Sequence, residues 1–278
     1  MCSSRGSIAS IAGLAALPAA RLSVEPGASV TLRLRRCAAI CRGKISFGTR
    51  SGSGAQPFPD HTEAKAVGGA VLTLYSSATS GNCYKVRLTL AKLAVPFRLV
   101  EIDIFAGENR TPEFIALNPE GRVPLLDVDG THLAESNAIL FYLADGTRLL
   151  PADPLARAET LRWMFFEQHS HEPGIAAARF WLKQVRGGRD LRTHDVDRWQ
   201  EEGYAALRSM ERQLVSHRFF VGETLTIADI ALYAHTHVAE EGEFSLAGFP
   251  AVRAWLERVA QDPGHVDMTW SPRLSGAA

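Results

Sequence analysis

The chain has 278 residues, of which 46% are apolar, and it carries 30 basic and 30 acidic side chains, so its formal net charge is zero. The charges are unevenly distributed, because residues 1–70 contain 9 basic and 3 acidic groups and residues 71–278 contain 21 basic and 27 acidic groups. A mildly acidic body argues against nucleic-acid binding, and its apolar content is sufficient for one buried core in each of two domains.

Residues 1–70 are rich in Arg, Ser, Ala and Gly and poor in acids, which is typical of an organellar transit peptide. An apolar stretch at residues 8–20 resembles a secretory signal, but Pro18 interrupts it and it is shorter than the roughly 20 residues that span a membrane. A third interpretation is a dispensable tail translated from a start codon placed too far upstream. All three interpretations stay open, with a slight preference for the dispensable tail, and we expect an extension of low order.

From residue 71 onwards the pattern becomes that of a folded domain. Val86, Leu90 and Leu93 fall on one face of a predicted helix that ends at Pro96 and leaves Lys85 and Lys92 to water. Four short strands and two further helices complete a small mixed sheet with helices on its faces. The strands are predicted at residues 71–75, 97–104, 123–126 and 131–133, and the two helices at 111–117 and 135–144.

Two features of this domain predict a site that grips a short peptide. Pro124 cannot donate to a sheet ladder, and a cis bond before it would leave the main chain of Val123 free to pair with an extended ligand. Glu135 and Ser136 open a helix whose free N–H groups and serine hydroxyl can hold a carboxylate. Each residue alone also has a structural interpretation, because most X-Pro bonds are trans and Ser136 can serve only as a helix cap.

With these motifs in this order and spacing, the segment resembles the thioredoxin-like N-terminal domain of the soluble, bacterial-type glutathione transferases. The motifs are Tyr75–Val86, Pro112–Pro119, Arg122-Val123-Pro124 and Glu135-Ser136. The resemblance extends over residues 71–278 and implies an α/β thioredoxin-like domain followed by an all-α helical domain. The boundaries that it predicts are 71–146 for the glutathione-binding domain, 147–154 for a linker and 155–278 for the helical domain.

The second half of the chain agrees with that expectation. It lacks strand alternation and instead predicts helices. Thr226 and Asp229 form a T-x-x-D capping box, which in the resembled family opens a buried helix and has a structural role. The helices are predicted at residues 156–185, 194–217, 227–237 and 251–261.

The resemblance implies glutathione as co-substrate, and glutathione needs its thiol activated, because a free thiol titrates near ~8.5 and is mostly protonated at neutral pH. A helix N-terminus and a donated hydrogen bond lower that pKa. Ser80 occupies the position of the activating hydroxyl in serine-type members resembling the theta and nu classes, although it can also be merely the cap of the following helix. Thr79 and Asn82 are the rival donors.

Further ligand contacts are implied by position. Asn109, Arg110 and Arg122 are expected at the glycine carboxylate of glutathione. Asn109 and Arg122 differ from the residues that the family usually has at these positions. Phe166 and Arg179 are expected on the far wall of the cleft, facing the electrophile. His169, His171 and Glu172 have a metal-like spacing without further ligands, so no metal is expected.

We therefore expect a dimeric, cytoplasmic glutathione transferase that conjugates glutathione to small hydrophobic electrophiles in detoxification, with no nucleic-acid or membrane partner. The single cysteine of residues 71–278, Cys83, is expected to be a buried, inert thiol in a reducing compartment. Two alternatives stay open. One is a glutathione-dependent disulfide reductase or peroxidase, and the other is a non-catalytic binding module that keeps the fold.

Overall fold

The structure is a computed structural model that describes residues 71–272. The extension predicted for residues 1–70 and the stretch 273–278 lie outside the described residues, so the domain boundaries stay predictions. Within the described part, a four-stranded mixed sheet with helices is followed by a domain made of helices, which confirms the predicted fold class. No helix in this part of the chain is long and apolar enough to cross a membrane.

The N-terminal domain comprises strands β1 Leu72–Ser76, β2 Arg98–Glu101, β3 Leu125–Val128 and β4 Thr131–Ala134 and helices α1 Gly81–Lys92, α2 Pro112–Leu117 and α3 Ser136–Ala144. The strand order in the sheet is β2-β1-β3-β4. β1 pairs in parallel with β2 and antiparallel with β3, and β3 pairs antiparallel with β4. This arrangement brings the end of β1, the start of β3 and the end of β4 to one edge of the sheet, where α1 follows β1 and α3 follows β4.

All four strands differ from their predicted bounds, β1 and β4 by no more than one residue at either end and β2 and β3 by more. β2 ends at Glu101 instead of residue 104 because its partner β1 ends at Ser76, whose carbonyl accepts the last bond of that ladder from Ile102 N at 2.7 Å. β3 starts at Leu125 instead of residue 123 because Pro124 has no N–H to offer the ladder. The Val123–Pro124 peptide bond is cis.

Helix α1 is buried on all sides, so the prediction that its lysines face water was wrong. Lys85 is 0% and Lys92 7% exposed. Both lysines find carboxylates in the second half of the chain, Lys85 at Glu167 and Lys92 at Asp262, each at 2.8 Å. The packing against the helical domain leaves no room for a side chain at Gly81, where a Cβ would lie 2.4 Å from the ring of His235.

The second domain contains helices α4 Pro154–Phe166, α5 Glu172–Arg179, α6 Gly188–Leu191, α7 Thr193–Leu214, α8 Ile227–Thr236 and α9 Pro250–Gln261. π-helical turns at Glu167–His171 and Phe180–Gln184 continue α4 and α5 into one helical run, in agreement with the long helix predicted there. After α9 the chain returns to α1 as a segment of residues 262–270, here called the C-terminal strap. Its Val266 carbonyl accepts a hydrogen bond from Tyr84 Oη at 2.7 Å.

The predicted capping box is present at the start of the buried helix α8. Asp229 is fully buried, and its carboxylate accepts hydrogen bonds from Thr226 N, Thr226 Oγ1, Phe220 N and Trp255 Nε1. Burial raises the pKa of Asp229, and these hydrogen bonds oppose the rise. One side chain therefore joins the preceding loop, α8 and α9, which is a structural role.

We expect Asp229→Ala to lower the free energy of unfolding by about 3 kcal/mol, because it leaves several buried donors without an acceptor. The matched control is Asp153→Ala at the exposed N-cap of α4, where the carboxylate accepts only from Ala156 N and the expected loss is about 1 kcal/mol. Urea unfolding of both variants checks the difference. Equal losses would contradict the structural role assigned to the buried cap.

Candidate active site

The predicted activating hydroxyl lies at the N-terminus of α1. Ser80 is the N-cap of this helix and accepts a hydrogen bond from Cys83 N at 3.3 Å, while its side chain stays partly exposed. Ser80 therefore caps α1, which the sequence analysis gave as its alternative role. In this bond the serine oxygen is the acceptor, so capping does not use the hydrogen of the hydroxyl group. Thr79, the preceding residue, is exposed.

Most of the predicted glutathione contacts border one groove next to this helix end. Val123, Pro124, Glu135 and Ser136 all border this groove together with Asn82, whereas the lining does not include Ser80 or Thr79. Glu135 has a φ of 68°, which is unusual for a residue with a side chain and marks the sharp entry into α3. The complete lining is Asn82, Asn118, Glu120, Arg122, Val123, Pro124, Ala134, Glu135, Ser136, Gln168 and Glu172.

Asn82, which borders the groove, joins the two domains. Its Nδ2 donates to Glu172 Oε1 at 2.7 Å, and its Oδ1 accepts from Ser136 Oγ at 3.2 Å. The side chain is therefore engaged on both sides, so Asn82 positions its neighbours and is a weaker candidate than Ser80 for donating to a thiol.

A buried ion pair lies directly behind this network. Lys85 Nζ is 2.8 Å from Glu167 Oε1, and both side chains are 0% exposed. Glu167 stands in the first π-helical turn, a type of distortion that is frequent at functional sites. Burial raises the pKa of Glu167, whereas Lys85 and the amide of Asn137 act in the opposite direction.

The carboxylates of Glu167 and Glu172 and the ring of His235 come close enough to one another to suggest a metal site, with ligand atoms within 4.8 Å. Lys85 Nζ already lies among them, 3.8 Å from Glu172 Oε2, and supplies the positive charge. Burial also lowers the pKa of His235 well below its ordinary value. Of His169, His171 and Glu172, whose spacing in the sequence resembles that of metal ligands, only Glu172 belongs to this cluster. His171 is buried, and its Nε2 is hydrogen-bonded to Thr236 Oγ1 at 2.9 Å.

Glu172 brings a carboxylate to the wall of the groove. Its Oε2 is buried, accepts no hydrogen bond from any described residue and lies 3.8 Å from Lys85 Nζ. The side chain as a whole is 21% exposed and borders the groove. A ligand ammonium group fits a carboxylate at this wall, since it supplies a positive charge and hydrogen-bond donors.

Arg179 contacts the activating loop directly, but its guanidinium is already engaged. Nη1 donates to the carbonyl of Thr79 at 2.8 Å, and Nε donates to Glu241 at 2.7 Å. On the same side of the cleft, the neighbouring Phe180 stacks on Phe105 with ring centroids 6.1 Å apart, and Phe105 is 57% exposed. The exposed apolar surface at this place is therefore formed by Phe105 and Phe180, and the guanidinium of Arg179 is engaged with the protein.

Two predicted contacts lie elsewhere. Asn109 does not border the groove, and its Nδ2 donates to the carbonyl of Gly121 at 2.7 Å, which holds the loop before Arg122. Phe166 packs against Trp163 and borders a different groove, between the first π-helical turn and α7. Arg122 borders the glutathione groove and is exposed. Only Arg122 of these three is in a position to meet the same ligand as Ser136.

Cys83 is fully buried, as the sequence predicted, and its sulfur accepts a hydrogen bond from Ser77 N. Burial raises the pKa of this thiol, so it is neutral and inert. The residues that sequence reasoning missed are Lys85, Glu167 and Gln168. Lys85 and Glu167 are charged and Gln168 is polar, but only the contact between the domains shows that they lie at the groove or directly behind it.

Two family models match the chain. Residues 70–145 match the model described as glutathione S-transferase, N-terminal domain, and residues 193–258 match the model described as glutathione S-transferase, C-terminal domain. The first matched region contains all of the groove residues except Gln168 and Glu172, and the second contains the capped helix α8.

Solved structures of the same kind are similar to this chain. A possible glutathione S-transferase from Rhodopseudomonas palustris is 58% identical, with a TM-score of 0.72, and the match covers 73% of this chain and 100% of that one. A glutathione S-transferase from Pseudomonas fluorescens is 47% identical, with a TM-score of 0.69 and coverage of 71% and 98%. A glutathione transferase family member from Pseudomonas fluorescens with two glutathione molecules bound is 27% identical, with a TM-score of 0.63 and coverage of 70% and 90%.

Curated relatives with different activities are also similar. Maleylacetoacetate isomerase from Rhizobium meliloti is 32% identical over 194 residues, which cover 67% of this chain and 90% of that protein. The disulfide-bond oxidoreductase YfcG from Escherichia coli is 28% identical over 201 residues, which cover 69% and 92%. The family models, the solved structures and these relatives agree, and the chain belongs to the glutathione S-transferase family.

Proposed function

We propose that this protein is a glutathione transferase that uses glutathione as co-substrate and joins its thiolate to small hydrophobic electrophiles. The observation that carries the proposal is the groove itself, which brings Val123, Pro124, Glu135 and Ser136 to one surface with Asn82, a residue two positions after Ser80 in the chain. A peptide along this groove has main-chain groups at Val123, a helix N-terminus at Ser136 and the capped end of α1 within its reach.

Ser80 is the group that we propose to stabilise the thiolate. The N-terminus of α1 carries the positive end of the helix dipole, and a hydroxyl donor adds a charge-assisted hydrogen bond. Both interactions favour the anion and so lower the pKa of a bound thiol. Cys83 does not compete for this role because it is buried.

The γ-glutamyl end of glutathione carries a carboxylate and a free ammonium group. We assign the carboxylate to the N-terminus of α3 at Ser136 and the ammonium to Glu172, whose partly exposed side chain borders the same groove. Arg122 is the described cation that borders this groove and is therefore assigned to the glycine carboxylate.

The electrophile is assigned to the aromatic surface formed by Phe105 and Phe180. Their rings stack with an interplanar angle of 11°, and the exposed face of Phe105 offers a flat apolar contact. Arg179 adjoins Phe180 and binds the loop that leads to Ser80, which places this surface next to the proposed sulfur position. Aromatic electrophiles are therefore the substrates to test first.

A second candidate is reduction of disulfides through bound glutathione. The relative named as a disulfide-bond oxidoreductase and the related structure with two glutathione molecules favour it. Because the only cysteine in the described part of the chain is buried, the reducing thiol would have to be that of glutathione. Parallel assays with chlorodinitrobenzene and with the mixed disulfide of glutathione and mercaptoethanol separate the two activities. Binding of glutathione without turnover in both assays would instead indicate a non-catalytic binding module.

The homodimer, the cytoplasmic location and the role in detoxification stay predictions.

We expect Ser80→Ala to lower kcat/KM for chlorodinitrobenzene about 10- to 100-fold at neutral pH, because one hydrogen bond to a charged sulfur is lost. Thr79→Ala is the matched control, since it removes a hydroxyl from the adjacent exposed position and should leave the rate nearly unchanged. Steady-state kinetics check both. If the rate loss occurred in Thr79→Ala instead, the activating residue would have to be reassigned.

We expect Glu172→Gln to weaken glutathione binding about tenfold, because a charged partner of the ligand ammonium is lost. The substitution should have little effect on binding of desamino-glutathione, which lacks that ammonium group. Calorimetry with both ligands forms a double-mutant cycle, and Glu113→Gln on exposed α2 serves as the control. An equal loss for both ligands would show that Glu172 does not bind the amino group.

A further inference from the structure

Arg87 lies two residues beyond Lys85 in α1 and is 1% exposed, but it does not take part in the proposed reaction. Its guanidinium turns back towards the loop before Ser80. Nη1 donates to Ser76 Oγ and to the carbonyl of Ser77, and Nη2 donates to the carbonyl of Ala78 at 2.8 Å. None of the ion pairs among the described residues includes Arg87. The hydrogen-bond acceptors of this buried guanidinium are therefore all neutral oxygens.

A second guanidinium completes the pattern. Arg179 donates to the carbonyl of Thr79, which also accepts from Gln184 Nε2 at 3.3 Å. The carbonyls of residues 77, 78 and 79, the three that directly precede Ser80, therefore all accept bonds from guanidinium groups. Because each bond fixes the plane of one peptide, the two arginines together determine where the Ser80 hydroxyl lies.

The C-terminal strap supplies the remaining acceptor. Arg87 Nη2 also donates to the carbonyl of Met268. The strap is held against α1 by the Tyr84 Oη bond to Val266 O and by the ion pair between Lys92 and Asp262. The last described segment of the chain is thus linked to the loop that carries Ser80 through two buried side chains, Arg87 and Arg179, since Arg179 Nη2 donates to Met268 Sδ at 3.5 Å.

We propose that Arg87, completed by the C-terminal strap, is a positioning residue that sets the pKa of the bound glutathione thiol by fixing the loop before Ser80. This inference rests on the proposed function. The physical reason is that a hydrogen bond to a thiolate weakens steeply with small changes in distance and angle, and catalytic groups require placement within about 0.5 Å. Arg87 acts through the loop and touches no reacting atom.

The test uses the full chain with Arg87→Lys, Tyr84→Phe and the control Arg98→Lys, which alters an exposed arginine on β2. Arg87→Lys keeps the charge but cannot reach several carbonyls with a planar fork. Tyr84→Phe removes one anchor of the strap and leaves Arg87 and the Lys92–Asp262 ion pair in place. For each protein, glutathione affinity is measured by calorimetry, the thiol pKa by ultraviolet titration of the bound thiolate, and the melting temperature separately.

We expect Arg87→Lys to raise the thiol pKa by about one unit and to lower kcat at neutral pH up to about tenfold, with glutathione affinity changed less than about threefold. Tyr84→Phe should shift the thiol pKa in the same direction by a smaller amount, and Arg98→Lys should not shift it. Lower melting temperatures with an unchanged thiol pKa would overturn the proposal and leave Arg87 a structural role only.

The outcomes separate this proposal from the proposed function. If the unsubstituted protein binds glutathione but does not ionise its thiol, the catalytic proposal fails first. If the unsubstituted protein ionises the thiol and the variants do so equally well, only the role of Arg87 fails. Should Arg87→Lys not fold, Tyr84→Phe decides, since a raised thiol pKa in that variant supports the proposal and an unchanged one overturns it.

Discussion

The buried ion pair between Lys85 and Glu167 is the interaction on which the arrangement of the two domains depends. Both groups are withdrawn from water, and such a pair tolerates the loss of neither partner, since removing one typically costs about 3–5 kcal/mol. Lys85 comes from the first helix of the thioredoxin-like domain and Glu167 from a π-helical turn of the helical domain. The pair therefore holds α1 against the second domain at a fully buried point, and the Lys92–Asp262 ion pair holds the other end of the helix.

That constraint explains why the candidate site contains residues from both domains. With α1 held in place, Asn82 meets Glu172 and Ser136, and the β1–α1 loop meets Arg179. The same helix presents its N-terminus to the groove and its charged side chains to the helical domain. We therefore propose that α1 serves in ligand binding and thiol activation through its N-terminus and in domain packing through its buried lysines.

The sequence predicted the parts of the structure that local rules determine. The capping box at Asp229, the burial of Cys83 and the positions of the main helices follow from short-range pattern, and the order of four motifs identified the groove. The burial of Lys85 and Lys92 could not be predicted, because their partners Glu167 and Asp262 lie about 80 to 170 residues away. Phe166 was assigned to the cleft for the same reason, since only packing reveals which face of a helical run meets the neighbouring domain.

The central claim is that a tripeptide lies along the main chain at Val123 with its sulfur at Ser80. A crystal structure of the glutathione complex tests this most directly. The account predicts main-chain hydrogen bonds between the ligand and Val123, the γ-glutamyl carboxylate at Ser136, and the sulfur within about 3.5 Å of Ser80 Oγ. Glutathione bound outside this groove, or with its sulfur turned away from the N-terminus of α1, would contradict the account.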